Sequence, residues 1–394
     1  MEERTRQRLW ECLSQAVETG DTAGVSLLVR KDQEDVFYAA QGYANLETRE
    51  PLRRDHIFRL YSMTKPITAV AAMLLVERGE LDLEMPVSCV LPGFANQAVW
   101  DGEKTVPVQR PVTVRSLLNM TSGLHYGEED APQAKAFSAY LDECGRKLHT
   151  PQAVTTQEFA NALGNFPLAF QPDTRWCYGF SADVLGAVIE VVSGLTLGQF
   201  MERNLFAPLK MTDTGFWVPE EKQHRLVRVY EPLGDGRMAP YNGEYLLISS
   251  TMDQPPEFAS GGAGLTSTID DYARFAQLLL NRGKLDGQRI LAPQTVDFLL
   301  GGSLTPEQQR SLEIFGGHSG YTYSHLLRRM VDPGRACLMG QTDEYGWAGW
   351  LRCYFANLPR ANATVLLMQQ RKGPMPVSLA RKVRNILAQE LVER

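Results

Sequence analysis

A chain of 394 residues with 44% hydrophobic and 22% charged side chains has the balance of an ordinary globular protein with a sizeable core. Its formal net charge of -6 argues against a nucleic-acid partner, which needs a basic surface, and no block of like charge marks an interaction tail. Cys12, Cys89, Cys144, Cys177, Cys337 and Cys353 are scattered without a C-x-x-C pair, so reduced thiols are expected rather than a disulfide framework or a zinc site. The charged start, Met1 to Trp10, lacks the apolar stretch of a secretory signal. The longest apolar run, around Val70 to Val76, is too short to cross a bilayer. A cytoplasmic protein without a membrane partner is the expectation.

In chain order, Leu9, Cys12, Leu13, Ala16 and Val17 have the spacing of an amphipathic helix that Gly20 ends. Gly24–Arg30 and Val36–Ala40 predict a hairpin across the polar turn Lys31–Asp35. Ile67 to Val76 predicts a buried helix, stopped by Gly79. A short helix over Val114–Met120 and a long apolar one over Ser181–Val192 follow, each closed by a glycine turn. Pro219–Pro256, irregular and rich in Tyr and Pro, reads as a wall or lid, and a helix from Ile269 to Asn281 comes after it. Strands are expected over Tyr323–Val331, Ala336–Met339, Gly349–Phe355 and Ala363–Gln369, and a last helix from about Pro376 to Val392. Strands at both ends with helices between them predict an α/β (α+β) fold, one sheet built from both termini around a mostly helical insertion. The expected division is 1–61 with 256–394 for the sheet domain and 62–255 for the helical one.

The chemistry is concentrated in Tyr61-Ser62-Met63-Thr64-Lys65. Ser62 and Lys65 are three apart at the head of a predicted helix, so they share a face, and a serine hydroxyl is a weak nucleophile until a neighbour takes its proton. By composition one Ser-x-x-Lys is expected by chance on the order of once in a chain this long, so context decides. Four further blocks follow in order: Val112 to Leu124, Trp176 to Gly186, Ser260 to Thr268, and Tyr345 to Trp350. With these the chain resembles the serine β-lactamase and penicillin-binding-protein superfamily, and most closely its family VIII carboxylesterases, related to class C β-lactamases.

The resemblance implies an antiparallel sheet flanked by helices, with a helical domain inserted and the active site at the boundary. It implies Ser62 as nucleophile, Lys65 as its neighbour, Tyr178 as third catalytic group, and the backbone N–H groups of Ser62 and Trp350 as oxyanion hole. A lysine or tyrosine needs roughly a three-unit shift, about 4 kcal/mol, to be half deprotonated at neutral pH. Burial favours neutral lysine, whereas a neighbouring ammonium favours phenolate, so the two titrate as a pair sharing one proton. Together they are expected to activate Ser62, with Tyr178 passing the proton to the leaving group and then activating water.

Two departures bear on substrate. Trp347-Ala348-Gly349 stands where β-lactamases carry Lys-Thr-Gly, and Gly179-Phe180 follows Tyr178 where many have an asparagine. Loss of that cation and that amide partner favours a neutral small-molecule ester, with Tyr61, Trp347 and Gly349 shaping an apolar pocket. Arg352, two residues beyond Trp350 and so expected on the same strand face, is a candidate replacement cation that keeps anionic substrates open. A transacylase, a β-lactamase, a D-amino-acid peptidase, or a binding protein of the same fold are the competing readings. His125, His318 and His325 are spread out, no metal-ligand cluster is evident, and no cofactor is expected.

Overall fold

The computed structural model describes residues 1–127, 132–302, 304–314, 318–374 and 378–391, and of 132–134 the backbone alone. Eight antiparallel strands form the main sheet: β1 (Gly24–Lys31), β2 (Glu34–Asn45), β3 (Glu50–Pro51), β4 (Tyr321–Ser324), β5 (Leu327–Met330), β6 (Tyr345–Ala348), β7 (Tyr354–Leu358) and β8 (Ala363–Gln369). Their order, β4-β5-β6-β7-β8-β1-β2-β3, joins the two ends of the chain through the β8–β1 pair. The predicted sheet from both termini is therefore present.

Strand alternation gives that sheet two apolar faces. Leu27 pairs with Leu367 and Leu28 with Leu366 in register. Leu27, Val29, Val365 and Leu367 face helix α1 (Glu3–Glu18), whose Leu9 and Leu13 are fully buried. Leu28, Leu366 and Met368 join the larger core on the other face, with helices α2 (Thr64–Glu77), α3 (Ser181–Ser193) and α4 (Ile269–Leu280). The C-terminal α5 (Leu379–Ile386) packs beside α1 and contributes Leu379 and Val383 to the smaller core. On that side Arg384 and Glu344 form a buried ion pair (Nη2 to Oε2 2.6 Å), and Arg384 also donates to the Tyr354 hydroxyl at 3.1 Å. No single helix among the described residues is long and apolar enough to cross a membrane.

Several expected strands shift. Tyr323–Val331 is two strands, β4 and β5, because His325 and Leu326 both take left-handed backbone (φ 45° and 64°) and turn the chain. Ala336–Met339 is not a strand: Asp332 accepts from the Arg335 N–H and caps a short helix, Pro333–Ala336. The expected Gly349–Phe355 strand starts late, at Tyr354, since 349–353 form a turn in which Arg352 has φ +75°. The last helix spans Leu379–Ile386 with a 3-10 turn to Gln389; the expected ends Pro376 and Val392 lie outside the described residues. The Pro219–Pro256 segment carries only a 3-10 turn and a three-residue hairpin, Tyr230–Pro232 with Met238–Pro240.

Candidate active site

Ser62 lies in a 3-10 turn, Tyr61–Met63, that runs directly into α2. Tyr61 has φ +45°, a left-handed backbone that costs a bulky residue on the order of 1–2 kcal/mol. Surrounding contacts hold it there: Leu60 N–H donates to Leu265 C=O at 2.9 Å, and the Tyr61 ring packs 5.0 Å from the Trp350 ring and 6.3 Å from Tyr245. The strained residue immediately precedes the serine, so Ser62 is aimed by backbone rather than by a flexible side chain.

Lys65, one turn along, is fully buried. Its Nζ lies 3.3 Å from Ser62 Oγ and donates to Gly262 C=O at 2.9 Å and to the Tyr126 hydroxyl at 3.1 Å. The face of the Tyr178 ring is 4.5 Å from the same nitrogen, and Trp347 Nε1 donates to the Tyr178 hydroxyl at 3.0 Å. The structure thus brings Ser62, Lys65, Tyr178 and Trp347 together.

Loop packing explains how Tyr178, far along the chain, reaches α2. A Cβ on Gly179 would come within 2.3 Å of Leu124 C=O, so the 176–181 loop lies directly against the 121–126 loop. Cys177 N–H donates to Met120 C=O at 2.9 Å, and Ser122 and Ser181 hydroxyls meet at 2.8 Å. The Thr121-Ser122-Gly123 signature is therefore a support for the tyrosine loop.

Two groups in the site escaped sequence reasoning. Tyr126 contacts Lys65 directly and sets its ring edge-on to Phe180 (4.7 Å) and Tyr178 (5.7 Å). Burial pushes its phenol well above the ordinary range, and Tyr178 adds to the shift. It sits on a loop, where no periodicity marks it. Asp183, in the first turn of α3, is buried and accepts from Gly262 N–H at 3.1 Å and from the Ser260 hydroxyl. Burial pushes its carboxyl up, opposed most by the charge of Lys65. An acidic residue between Ala182 and Val184 in an apolar helix was the available signal.

The turn after β6 is pressed against Leu60, the residue that leads into the Ser62 turn. A Cβ on Gly349 would meet Leu60 C=O at 2.2 Å, and Gly349 N–H closes the turn by donating to Cys353 C=O at 2.7 Å. Trp350 follows directly and stacks on Tyr245 at 4.4 Å. Tyr61, Tyr245, Trp350 and Tyr241 form an aromatic wall from the Ser62 turn, the 219–256 segment and the turn after β6. Arg352 corrects an expectation. It is in the turn, not on a strand with Trp350, and lines a separate cavity with Ala348, Tyr354 and Arg384 on the α5 side of the sheet. It is not a substitute cation at Ser62. His318 stacks on Trp347 (5.3 Å); burial, then Arg328, pushes it down to about 3, so it is neutral at working pH. Among the described residues no His, Cys, Asp and Glu cluster could hold a metal.

The β-lactamase family model matches residues 10–390. Esterase EstB of Burkholderia gladioli is 32% identical over 397 residues, covering 94% of this chain and 93% of that protein. The lovastatin esterase of Penicillium rubens is 32% identical, covering 85% and 83%. Among solved structures, EstCE1, described as a hydrolase with promiscuous acyltransferase activity, superposes with a TM-score of 0.83 at 23% identity over 98% of both chains.

Proposed function

The chain belongs to the β-lactamase family and is a serine hydrolase related to its esterases, and from that premise we propose that it cleaves small to medium neutral carboxylic esters through an acyl-enzyme on Ser62. The observation that carries the proposal is the Lys65 amine, buried and 3.3 Å from Ser62 Oγ, with the Tyr178 ring against it. In this reading Ser62 Oγ attacks the ester carbonyl while its proton passes to the Lys65–Tyr178 pair. The tetrahedral oxyanion accepts from the backbone N–H groups of Ser62 and Trp350. The alkoxide leaves with a proton delivered by Tyr178, and a water activated by the same pair releases the acid.

Neutral esters are favoured because Trp347 stands at the cationic position and the Arg352 guanidinium lies on the other side of the sheet. A panel of p-nitrophenyl esters of increasing acyl length, run against nitrocefin and D-alanyl peptides, tests this. Esters are expected to turn over fastest; nitrocefin turning over faster than every ester would end the esterase assignment. Acyl transfer to an alcohol is the second reading. The aromatic wall of Tyr61, Tyr241, Tyr245 and Trp350 supports it, because an apolar mouth favours an organic acceptor over water. Cys12, Cys89, Cys144, Cys337 and Cys353 are free thiols, which supports a reducing, cytoplasmic setting.

A further inference from the structure

A cavity of about 190 Å³ on the α5 side of the sheet has no part in the chemistry above. It has room for roughly six water molecules at ~30 Å³ each. Four guanidinium groups line it, from Arg328, Arg352, Arg381 and Arg384, and no carboxylate does. Glu344 neutralises Arg384 from outside that lining. The other three have no ion-pair partner among the described residues.

Several donors remain unused. Arg384 is 2% exposed, and its Nε has no hydrogen-bond partner although both terminal nitrogens are engaged by Glu344. Arg352 spends one terminal nitrogen on Gly373 C=O (2.6 Å), while its buried Nε is also unpartnered. Burial lowers the Arg352 guanidinium with no opposing carboxylate. Arg328 is held over the rings of Tyr321 (5.0 Å) and Tyr354 (5.7 Å), which orient it without neutralising it. The same cavity receives the start of α5: Ser378, Leu379 and Ala380 line it, and Ser378 makes no side-chain capping bond. The first N–H groups of a helix lack internal partners and carry about half a positive charge.

Uncompensated cations, a buried orphan donor and an uncapped helix start in one small cavity share one remedy, an oxygen-rich anion. We propose that this cavity is a binding site for a phosphate group, free or as the terminal monoester of a larger molecule, held by Arg328, Arg352 and Arg384 and the N-terminus of α5. The proposal is independent of the catalytic reading of Ser62. It has a structural consequence for that site, because Gly349 lines this cavity and also abuts Leu60 beside the nucleophile. An occupant would brace the turn that carries Trp350.

Isothermal titration of the full chain with inorganic phosphate at fixed ionic strength tests the site, with phenyl phosphate as a second arm. One saturable site is expected, weakened at least tenfold by Arg352→Gln and, separately, by Arg328→Gln, and unchanged by Arg237→Gln on the exposed surface. Tighter binding of phenyl phosphate would assign the site to a phosphomonoester, and tighter inorganic phosphate to the free ion. Absence of saturable binding, or equal binding by the Arg352→Gln and Arg328→Gln variants with wild-type thermal midpoints, would overturn the proposal. Because both variants leave Ser62, Lys65 and Tyr178 intact, ester turnover without phosphate binding separates failure here from failure of the esterase reading.

Discussion

The Lys65 amine is fully buried and held by oxygen atoms from three directions: Gly262 C=O, the Tyr126 hydroxyl and Ser62 Oγ. Removing one of these leaves the amine free to rotate away from the serine. Leaving a buried polar group without one of its partners costs about 1–3 kcal/mol. Tyr126→Phe is therefore expected to lower kcat roughly ten- to hundredfold with little change in KM. Steady-state kinetics on a p-nitrophenyl ester checks it, and an unchanged kcat would remove Tyr126 from the account. The Ser62–Lys65 pair was legible at this scale because the two are local, three residues apart where a 3-10 turn runs into α2. Tyr126 and Asp183 were not, because they reach Lys65 through loop packing and helix docking that no spacing rule encodes. Arg352 misled for the opposite reason: alternation was applied to a residue whose positive φ takes it out of any strand.

At the scale of elements, the β6 turn approaches the Ser62 turn so closely that a Cβ on Gly349 would meet Leu60 C=O at 2.2 Å, with the Trp350 and Tyr61 rings packed beside that contact. Gly349→Ala must displace the turn that carries Trp350, whose N–H is the proposed second oxyanion donor. The expected loss, comparable to removing one oxyanion donor, is about 10²- to 10³-fold in kcat; full activity in a folded Gly349→Ala protein would show that Trp350 does not serve the oxyanion. Helix α4 carries a pH dependence of its own. Asp271 accepts from Asp213 N–H (2.7 Å) and the Thr214 hydroxyl (3.0 Å), and burial pushes its carboxyl up from 3.8 to about 6. A carboxyl raised in the folded state favours folding in its protonated form. That contribution is complete below pH 3.8 and is lost as pH rises through 6, about 3 kcal/mol in all. Asp271→Asn keeps an acceptor without the charge, so its stability relative to wild type should rise between pH 4.5 and pH 8. Urea midpoints at the two pH values measure this, and an equal difference at both would rule it out. Elements with strong periodicity, α1, α3, α4 and β8, were readable to within a residue or two, and α2 begins three residues before the expected Ile67. The β4–β5 hairpin and the Pro333–Ala336 helix were not, since their turns depend on left-handed backbone at His325, Leu326 and Cys337, residue types that do not announce it.

Across the whole molecule, the N- and C-terminal portions share one sheet, and the buried Arg384–Glu344 pair ties α5 to it. Breaking such a pair strands a charge in the core and costs about 3–5 kcal/mol, so Arg384→Met should lower the urea midpoint sharply, whereas restoring neutrality with Arg384→Met and Glu344→Gln together should recover part of it. A single substitution without measurable effect would mean the pair is solvated. The same architecture lets α2, from one part of the chain, meet Tyr178 and the β6 turn from two others, and the account rests on that meeting making Ser62 reactive. The most direct test is peptide-resolved mass spectrometry after a brief fluorophosphonate reaction, followed in parallel with Ser62→Ala, Lys65→Met and Tyr178→Phe. The account predicts one adduct, on the peptide bearing Ser62, absent in Ser62→Ala and strongly slowed in the other two. An adduct on a different serine, or ester turnover surviving in Ser62→Ala, would contradict it.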